Sequence, residues 1–240
     1  MLIAAALAGL VAGFLLANAV NRNEIATLRA EFEQLKKGGP TSAPANSGQT
    51  TTLTDEEINA TIQQADQNAG DFQIQRSRGI ALYKYGAMKQ DVTLLEKSIR
   101  ILDRAAALKP DDYDVTITLG NAHFDIGFFS KKNESLIKAR EIYAKGLATK
   151  PGDVEVQTDV GLTYFLQTPP DLEGAAREFK KSLDKNPNHE KTLQLMIQTL
   201  AKQSKTSEAT EYLERLRKLD PSSPAVAELS EMIANPKPSE

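Results

Sequence analysis

The sequence predicts an all-α fold built from one helical hairpin that is repeated along the chain. Three glycines, Gly79, Gly120 and Gly161, lie 41 residues apart in the 240-residue sequence. The prolines that follow them are Pro110, Pro151, Pro187 and Pro221. Alanine, leucine, lysine, glutamate and glutamine dominate this region, and all five favour helices. A fixed period of this size indicates stacked helical hairpins and not one globular catalytic domain.

Each predicted hairpin follows the same order of residue types. An acidic residue opens the first helix at Asp71, Asp112 and Asp153, and a glycine follows eight residues later. The second helix carries a small residue and then a large one four positions on, which places both on one face. These pairs are Ser98 and Leu102, Ala139 and Tyr143, Ala175 and Phe179, and Ala209 and Leu213. A proline then ends the hairpin, because it cannot continue a helix.

This pattern resembles the tetratricopeptide repeat family over about residues 71–221. The segments Leu119–Ala122 and Pro151–Asp153 carry the clearest similarity. The resemblance implies a right-handed α-solenoid of about four hairpins, at 71–111, 112–152, 153–187 and 188–221. The chain departs from the family at its usual tryptophan, where Gln75, Thr116, Gln157 and Leu193 stand, and at Ile197, which replaces a glycine. The first two repeats exceed the usual 34 residues, so we expect about one added turn on each of their helices.

Further helices are predicted at both ends of the repeats, which gives a repeat domain over residues 54–234. Thr54 and Glu57 form a capping box that opens a helix. Ser223 and Pro224 open a last helix, for which we expect a capping role over residues 223–234 with Val226, Leu229 and Ile233 on its apolar face. Residues 235–240 are predicted to be a disordered tail.

The N-terminal segment, residues 1–20, is predicted to be a transmembrane anchor. Its 19 residues from Leu2 to Val20 carry no charge and would span about 29 Å as a helix. A cleaved signal peptide is the alternative, since Ala17–Ala19 fits a cleavage site. Small residues recur every four positions, which favours close packing against a second such helix, although an alanine-rich segment also produces such a stripe by chance. They are Ala5, Gly9, Gly13 and Ala17.

Residues 21–37 are predicted to form a short coiled-coil-like stalk, followed by a flexible linker over 38–53. Ile25, Leu28, Phe32 and Leu35 are spaced 3, 4 and 3 residues apart, which is an a/d seam that would support a parallel dimer. A helix lying at the membrane interface is the alternative. Glycine, proline, serine and threonine dominate the linker, so it has little to bury.

The membrane topology has two opposing indications. The basic residues after the span, Arg22, Arg29, Lys36 and Lys37, favour a cytoplasmic repeat domain under the positive-inside rule. The resemblance of Ala17–Ala19 to a cleavage site favours export instead. We predict a single-pass protein of a bacterial inner membrane with its repeat domain in the periplasm, and keep the cytoplasmic side as the alternative.

No group of residues in the sequence carries catalytic chemistry. The chain has no cysteine and two histidines, His123 and His189, neither with a second ligand at zinc spacing. We expect His123 to be a buried packing residue and His189 to be exposed. The net charge of −3 does not indicate a nucleic-acid partner. We therefore predict no enzyme activity, no metal and no cofactor.

The resemblance implies a protein partner that is bound as an extended peptide or a helix on the concave surface of the first helices. Carried over by spacing, the lining residues are Arg76, Tyr83, Lys84, Asn121, Phe124, Asp125, Leu162, Phe165, Leu166, Gln194, Gln198 and Lys202. The predicted function is therefore a membrane-anchored adaptor. The layout of span, linker and repeats is similar to bacterial cytochrome c maturation factors, so assembly of a membrane or envelope complex is one candidate. A purely structural oligomeric membrane scaffold is the alternative.

Overall fold

The computed structural model describes residues 53–235, and every regular element in this range is a helix. The prediction of an all-α fold is confirmed for this part of the chain. The helices are α1 (Asp55–Gln67), α2 (Phe72–Lys89), α3 (Val92–Leu108), α4 (Tyr113–Ser130), α5 (Asn133–Thr149), α6 (Val154–Leu166), α7 (Leu172–Lys185), α8 (Glu190–Lys202), α9 (Thr206–Leu219) and α10 (Pro224–Ala234). They form two compact units, which we call unit 1 (residues 53–125) and unit 2 (residues 126–235), and the division falls within α4.

Several predicted segments lie outside the described residues. They are the anchor with its stripe of small residues, the stalk, the linker before Leu53, and the tail after Asn235. Within residues 53–235, no helix combines the length and the apolar character needed to cross a bilayer.

Acidic side chains cap half of the described helices, including the three that the sequence indicates. At the start of α1, Thr54 accepts a hydrogen bond from the amide of Glu57, whose carboxylate accepts one from the Thr54 amide at 2.8 Å. Asp71 and Asp153 cap α2 and α6 through the amides three residues on. Each such cap satisfies a backbone N–H that has no partner within its helix, at a gain of about 1 kcal/mol.

Unit 1 is organised around the packing of α1, α2 and α3. Its buried cluster contains Ile58, Ala65, Ala81, Leu82, Tyr85, Leu94 and Ile101. Leu53, the first described residue, packs against this cluster, and its amide donates to the Tyr85 hydroxyl at 3.0 Å. The first described residue is therefore held against α2 by its contact with Tyr85.

Glycines set the close approach of the two helices within a hairpin. A Cβ atom on Gly79 would lie 2.7 Å from Leu102, and one on Gly161 would lie 2.5 Å from Phe179. The large residues of these pairs, Leu102 and Phe179, are fully buried. At both positions the glycine of the first helix thus lies against the large residue of the small-then-large pair on the second helix.

The extra length of the first two repeats lies in their helices. α2 and α3 have 18 and 17 residues, whereas α6 and α7 have 13 and 14. A second close approach appears in the longer hairpins, where Gly86 meets Leu94 and Leu95, and Gly127 meets Leu136. Because these glycines lie seven residues after Gly79 and Gly120, they return to the same helix face after two turns.

α8 is the central helix of unit 2. Every residue from Thr192 to Ala201 is buried, because α6, α7, α9 and α10 all pack against this helix. α10 buries Val226, Leu229 and Ile233, which confirms the predicted apolar face. Unit 2 thus has α8 at the centre of its core, to which α6 also contributes buried residues such as Leu162 and Phe165.

Candidate protein-binding surfaces

The predicted binding residues divide equally between the two units. In unit 1 they are Arg76, Tyr83, Lys84, Asn121, Phe124 and Asp125. Lys84 is exposed, Phe124 is buried, and the other four are half-buried. Phe124 therefore belongs to the core and not to an accessible surface.

Arg76 is held by carboxylates of its own unit. Its guanidinium lies 3.5 Å from Asp112 and also contacts Asp114, at the beginning of α4. These pairs are partly exposed, so each contributes little to stability. Their main effect is to orient Arg76 along α2, where a partner carboxylate would have to compete with two existing ones.

In unit 2 the predicted binding residues are Leu162, Phe165 and Leu166 on α6 and Gln194, Gln198 and Lys202 on α8. We call these six the first-helix surface of unit 2. Leu166 and Lys202 are half-buried, and the remaining four are buried. The ammonium of Lys202 lies 5.8 Å from the centre of the Phe165 ring, a cation–π distance. Access to this surface is therefore through Leu166 and Lys202.

Gln198 has an unsatisfied hydrogen-bond acceptor within this surface. Its side chain is 2% exposed, and its Oε1 atom has no donor among the described residues. A buried polar atom left without a partner costs about 1–3 kcal/mol.

An ionic cluster that the sequence did not predict joins α6 to the beginning of α8. His189 Nε2 donates to Glu155 Oε1 at 2.7 Å, and Lys191 Nζ lies 2.9 Å from Asp159 and 3.4 Å from Glu155. The His189 side chain is 15% exposed, so the prediction of an exposed histidine is wrong. The reason is that Glu155, 34 residues away in sequence, covers one edge of its ring.

The charges of this cluster shift one another's pKa values. The hydrogen bond with His189 lowers the pKa of Glu155 to about 2, and Lys191 contributes to the same effect. Burial opposes the charged form of Lys191, but the carboxylates of Asp159 and Glu155 outweigh it and raise the pKa of the ammonium. Because Lys191 is already paired with two carboxylates, this end of α8 is a poor site for a partner's acidic group.

A buried hydroxyl cluster continues from His189 into the core. His189 Nδ1 lies 2.6 Å from Thr192 Oγ1, which in turn lies 2.6 Å from Thr158 and 3.1 Å from Ser182. All three hydroxyl residues are fully buried. The arrangement joins α6, α7 and α8, and its burial leaves no hydroxyl accessible to a substrate.

The other histidine, His123 on α4, was predicted to be buried and is half-buried in the structure.

The connection between α6 and α7 is fixed by side chains from α5. Asn133 donates to the Thr168 carbonyl at 2.6 Å and accepts from the Thr168 amide at 2.9 Å. Arg140 lies 3.4 Å from the centre of the Tyr164 ring and donates to Gln167 at 2.9 Å. Thr168, Pro169 and Pro170 remain exposed. The loop is therefore an exposed surface whose backbone is fixed by contacts with α5.

No group of His, Asp or Glu side chains in residues 53–235 could hold a metal ion. The charged clusters described above are each explained by contacts within their own unit. Their geometry supports helix packing and surface recognition, and none places an activated nucleophile beside an acid or base in an open cleft.

Comparison with known proteins agrees with this class of structure. The solved structures that share the fold include MamA, residues 41 to the end, from Desulfovibrio magneticus RS-1, and TTC0263, a thermophilic tetratricopeptide repeat protein from Thermus thermophilus. MamA is 16% identical, with a TM-score of 0.55 over 83% of this chain and 97% of that one. TTC0263 is 13% identical, with a TM-score of 0.53 over 75% and 90%. At such low sequence identity, these similarities show the fold, a stack of helical repeats, and no more specific property.

The sequence itself matches the tetratricopeptide repeat family over residues 171–233. A tetratricopeptide repeat signature is thus shown for residues 171–233 of the 240-residue chain. No curated protein sequence matches it. The match is shorter than the predicted 71–221, and it extends past Pro221 into α10. A repeat scaffold of this kind is typically non-catalytic and suggests binding of other proteins.

Proposed function

We propose that the chain is a membrane-anchored adaptor whose first-helix surface of unit 2 binds a peptide or helix of a partner protein. The observation that carries the proposal is Lys202 on this surface. Its ammonium lies over the Phe165 ring, and it forms no ion pair with the residues that the structure describes. It is therefore available to a carboxylate, unlike Lys191 at the other end of α8.

The same surface defines the chemistry of the partner segment. Leu166 offers half-exposed apolar area, and Lys202 offers an ammonium without an ion pair among the described residues. A segment with an apolar side chain and an acidic residue would complement these two features. Because an exposed ion pair adds little affinity and mainly sets orientation and specificity, Lys202 would orient the segment more than it would anchor it.

The experiment is photo-crosslinking from position 166 of the full chain in native membranes, compared with the same chain carrying Lys202→Glu. We expect one dominant foreign protein, which Lys202→Glu reduces severalfold. Lys180→Glu is the matched control, since Lys180 is exposed on α7 and pairs with Asp184. Equal loss with the control, or no foreign product, would reject this binding surface.

The position of the adaptor at a membrane rests on the sequence of residues 2–20. We place the repeat domain on the periplasmic side of a bacterial inner membrane, with the cytoplasmic side as the alternative. Assembly of a membrane or envelope complex, such as cytochrome c maturation, is proposed from the layout of the chain alone. The identity of a crosslinked partner and its compartment would decide both points.

A purely structural oligomeric scaffold would give a different result in the same experiment. In that case, crosslinks would join copies of the chain, and Lys202→Glu would have no effect. Gly9→Leu with Gly13→Leu would instead disrupt assembly, because larger side chains prevent close approach of membrane helices.

A further inference from the structure

One face of α10 lacks the covering that the corresponding face has in other helices. Counted from the residue that caps each helix, positions 4, 8 and 11 of α6 are Gln157, Gly161 and Tyr164. All three meet α7: Gln157 donates to Glu178 at 2.9 Å, Gly161 abuts Phe179, and Arg177 lies 5.9 Å from the centre of the Tyr164 ring. The second helix of the hairpin thus lies on this face.

In α8 the same positions are Leu193, Ile197 and Leu200, and all are buried. In α10, which begins after Ser223, they are Ala227, Glu231 and Ala234, and all are exposed. α10 therefore has the geometry of a hairpin's first helix, with the place of the second helix open in the described residues.

An open cavity of about 630 Å³ lies along this face. Its walls are α10, the turn at residues 221–223, and Arg217 of α9. On α10 it is lined by the small residues Ala227, Ser230 and Ala234, together with Val226 and Glu231. Alanine side chains add no polar group for the solvation of this face. Small residues instead permit two helix axes to approach to about 8 Å.

The face also carries negative charge without compensation inside the described part of the protein. Among residues 53–235, neither Glu228 nor Glu231 forms an ion pair. Burial, and then the neighbouring carboxylate of Glu231, raise the pKa of Glu228. Arg217, the cation of the cavity wall, is already paired with Glu214. A binding partner that covers this face must therefore supply its own cations to neutralise these carboxylates.

We propose that this face of α10 binds a basic amphipathic helix of a partner protein, in the place that a hairpin's second helix takes elsewhere in the chain. The apolar stripe of that helix would contact Ala227 and Ala234, and its lysines or arginines would flank Glu228 and Glu231. The site is separate from the first-helix surface of unit 2, and it does not depend on the proposed function of that surface.

The test uses the full chain and a synthetic helical peptide of about 18 residues, long enough for five turns. The peptide has a leucine and alanine stripe flanked by lysines, and a second version has glutamates in place of the lysines. Fluorescence anisotropy should show saturable binding of the lysine version only. Glu228→Lys with Glu231→Lys should weaken that binding at least about tenfold, and Ala227→Trp should weaken it by filling the cavity.

Glu208→Lys with Glu211→Lys on α9 is the control, because both residues are exposed and the change in net charge is the same. We expect this variant to bind within about twofold of the unchanged protein. If the control weakened binding equally, the peptide would be bound by non-specific electrostatic attraction, and the proposal would be overturned. Absence of binding would also overturn it, as would self-association that Ala227→Trp abolishes, since a second copy would then be the occupant.

Discussion

At the scale of single residues, Gly161 is the position where side-chain volume has the clearest consequence. An added Cβ would lie 2.5 Å from the ring of Phe179, which is fully buried and cannot move away freely. Gly161→Ala should therefore destabilise unit 2 by about 1–2 kcal/mol, because overpacking outweighs the gain in helix propensity. Urea unfolding would measure the difference.

Gly152→Ala is the matched control, since a Cβ at Gly152 meets nothing within 4 Å. Its effect should stay within about 0.5 kcal/mol. If both variants unfolded at the same urea concentration, Gly161 would not limit the approach of α6 and α7.

Glu155 should make stability depend on pH in the acidic range. The hydrogen bond with His189 lowers its pKa from 4.5 to about 2, so its contribution is present above the unfolded value and is lost as the pH falls through the folded value. The side chain is 60% exposed, so solvent limits this contribution to less than about 1 kcal/mol. Glu155→Gln should reduce thermal stability at neutral pH and have no effect once the carboxyl is protonated in both states.

The same measurement on Glu134→Gln, an exposed residue of α5, controls for the loss of a surface carboxylate. A constant difference between Glu155→Gln and the unchanged protein across the whole acidic range would contradict the proposed role of the ionic pair.

Short-range signals explain which residues could be predicted from the sequence. Thr54 and Glu57 are three positions apart, so their capping box is visible as a motif. Glu155 and His189 are separated by 34 positions and meet only because α6 packs against α8. No local pattern distinguishes His189 from a solvated histidine at a helix start, which is why its partial burial was missed.

At the scale of elements, the loop between α6 and α7 depends on a residue of another helix. Asn133 makes two hydrogen bonds to the backbone of Thr168. Asn133→Ala should cost about 1 kcal/mol, since these bonds are partly exposed and each contributes near the lower end of the usual range. The amide of Thr168 should then exchange its hydrogen faster.

Ser135→Ala provides the comparison for Asn133→Ala, because it changes a nearby polar residue of α5 that is not part of this contact. Unchanged exchange at Thr168 in Asn133→Ala would show that the loop is held by other contacts, such as that of Arg140 with Gln167.

Helix positions were easier to predict than the exposure of individual binding residues. The period of 41 residues and the pairs such as Ser98 with Leu102 follow from the sequence because packing repeats the same small and large residues. Exposure depends on neighbours from several helices. Phe165 and Gln198 lie on the first helices as expected, but α8 is packed on several sides, and both side chains are consequently buried.

At the scale of the whole molecule, a helical repeat scaffold can carry more than one binding surface. The proposed surfaces at Lys202 and on the exposed face of α10 use different side chains, although α10 packs against α8, so we expect each surface to bind its own partner. Substitutions at either surface should leave the other functional. An adaptor that joins two partners would use this property.

The proposed anchor provides the last prediction, since it acts on the molecule as a whole. Leu10→Asp with Phe14→Asp would place two carboxylates near the centre of the span, at a cost of about 2.5–3.5 kcal/mol each. We expect the full chain to remain in the membrane fraction after alkaline washing, and this variant to be released. Ala43→Asp with Asn46→Asp in the linker should remain bound. Release of the unchanged chain would show that residues 2–20 do not anchor it.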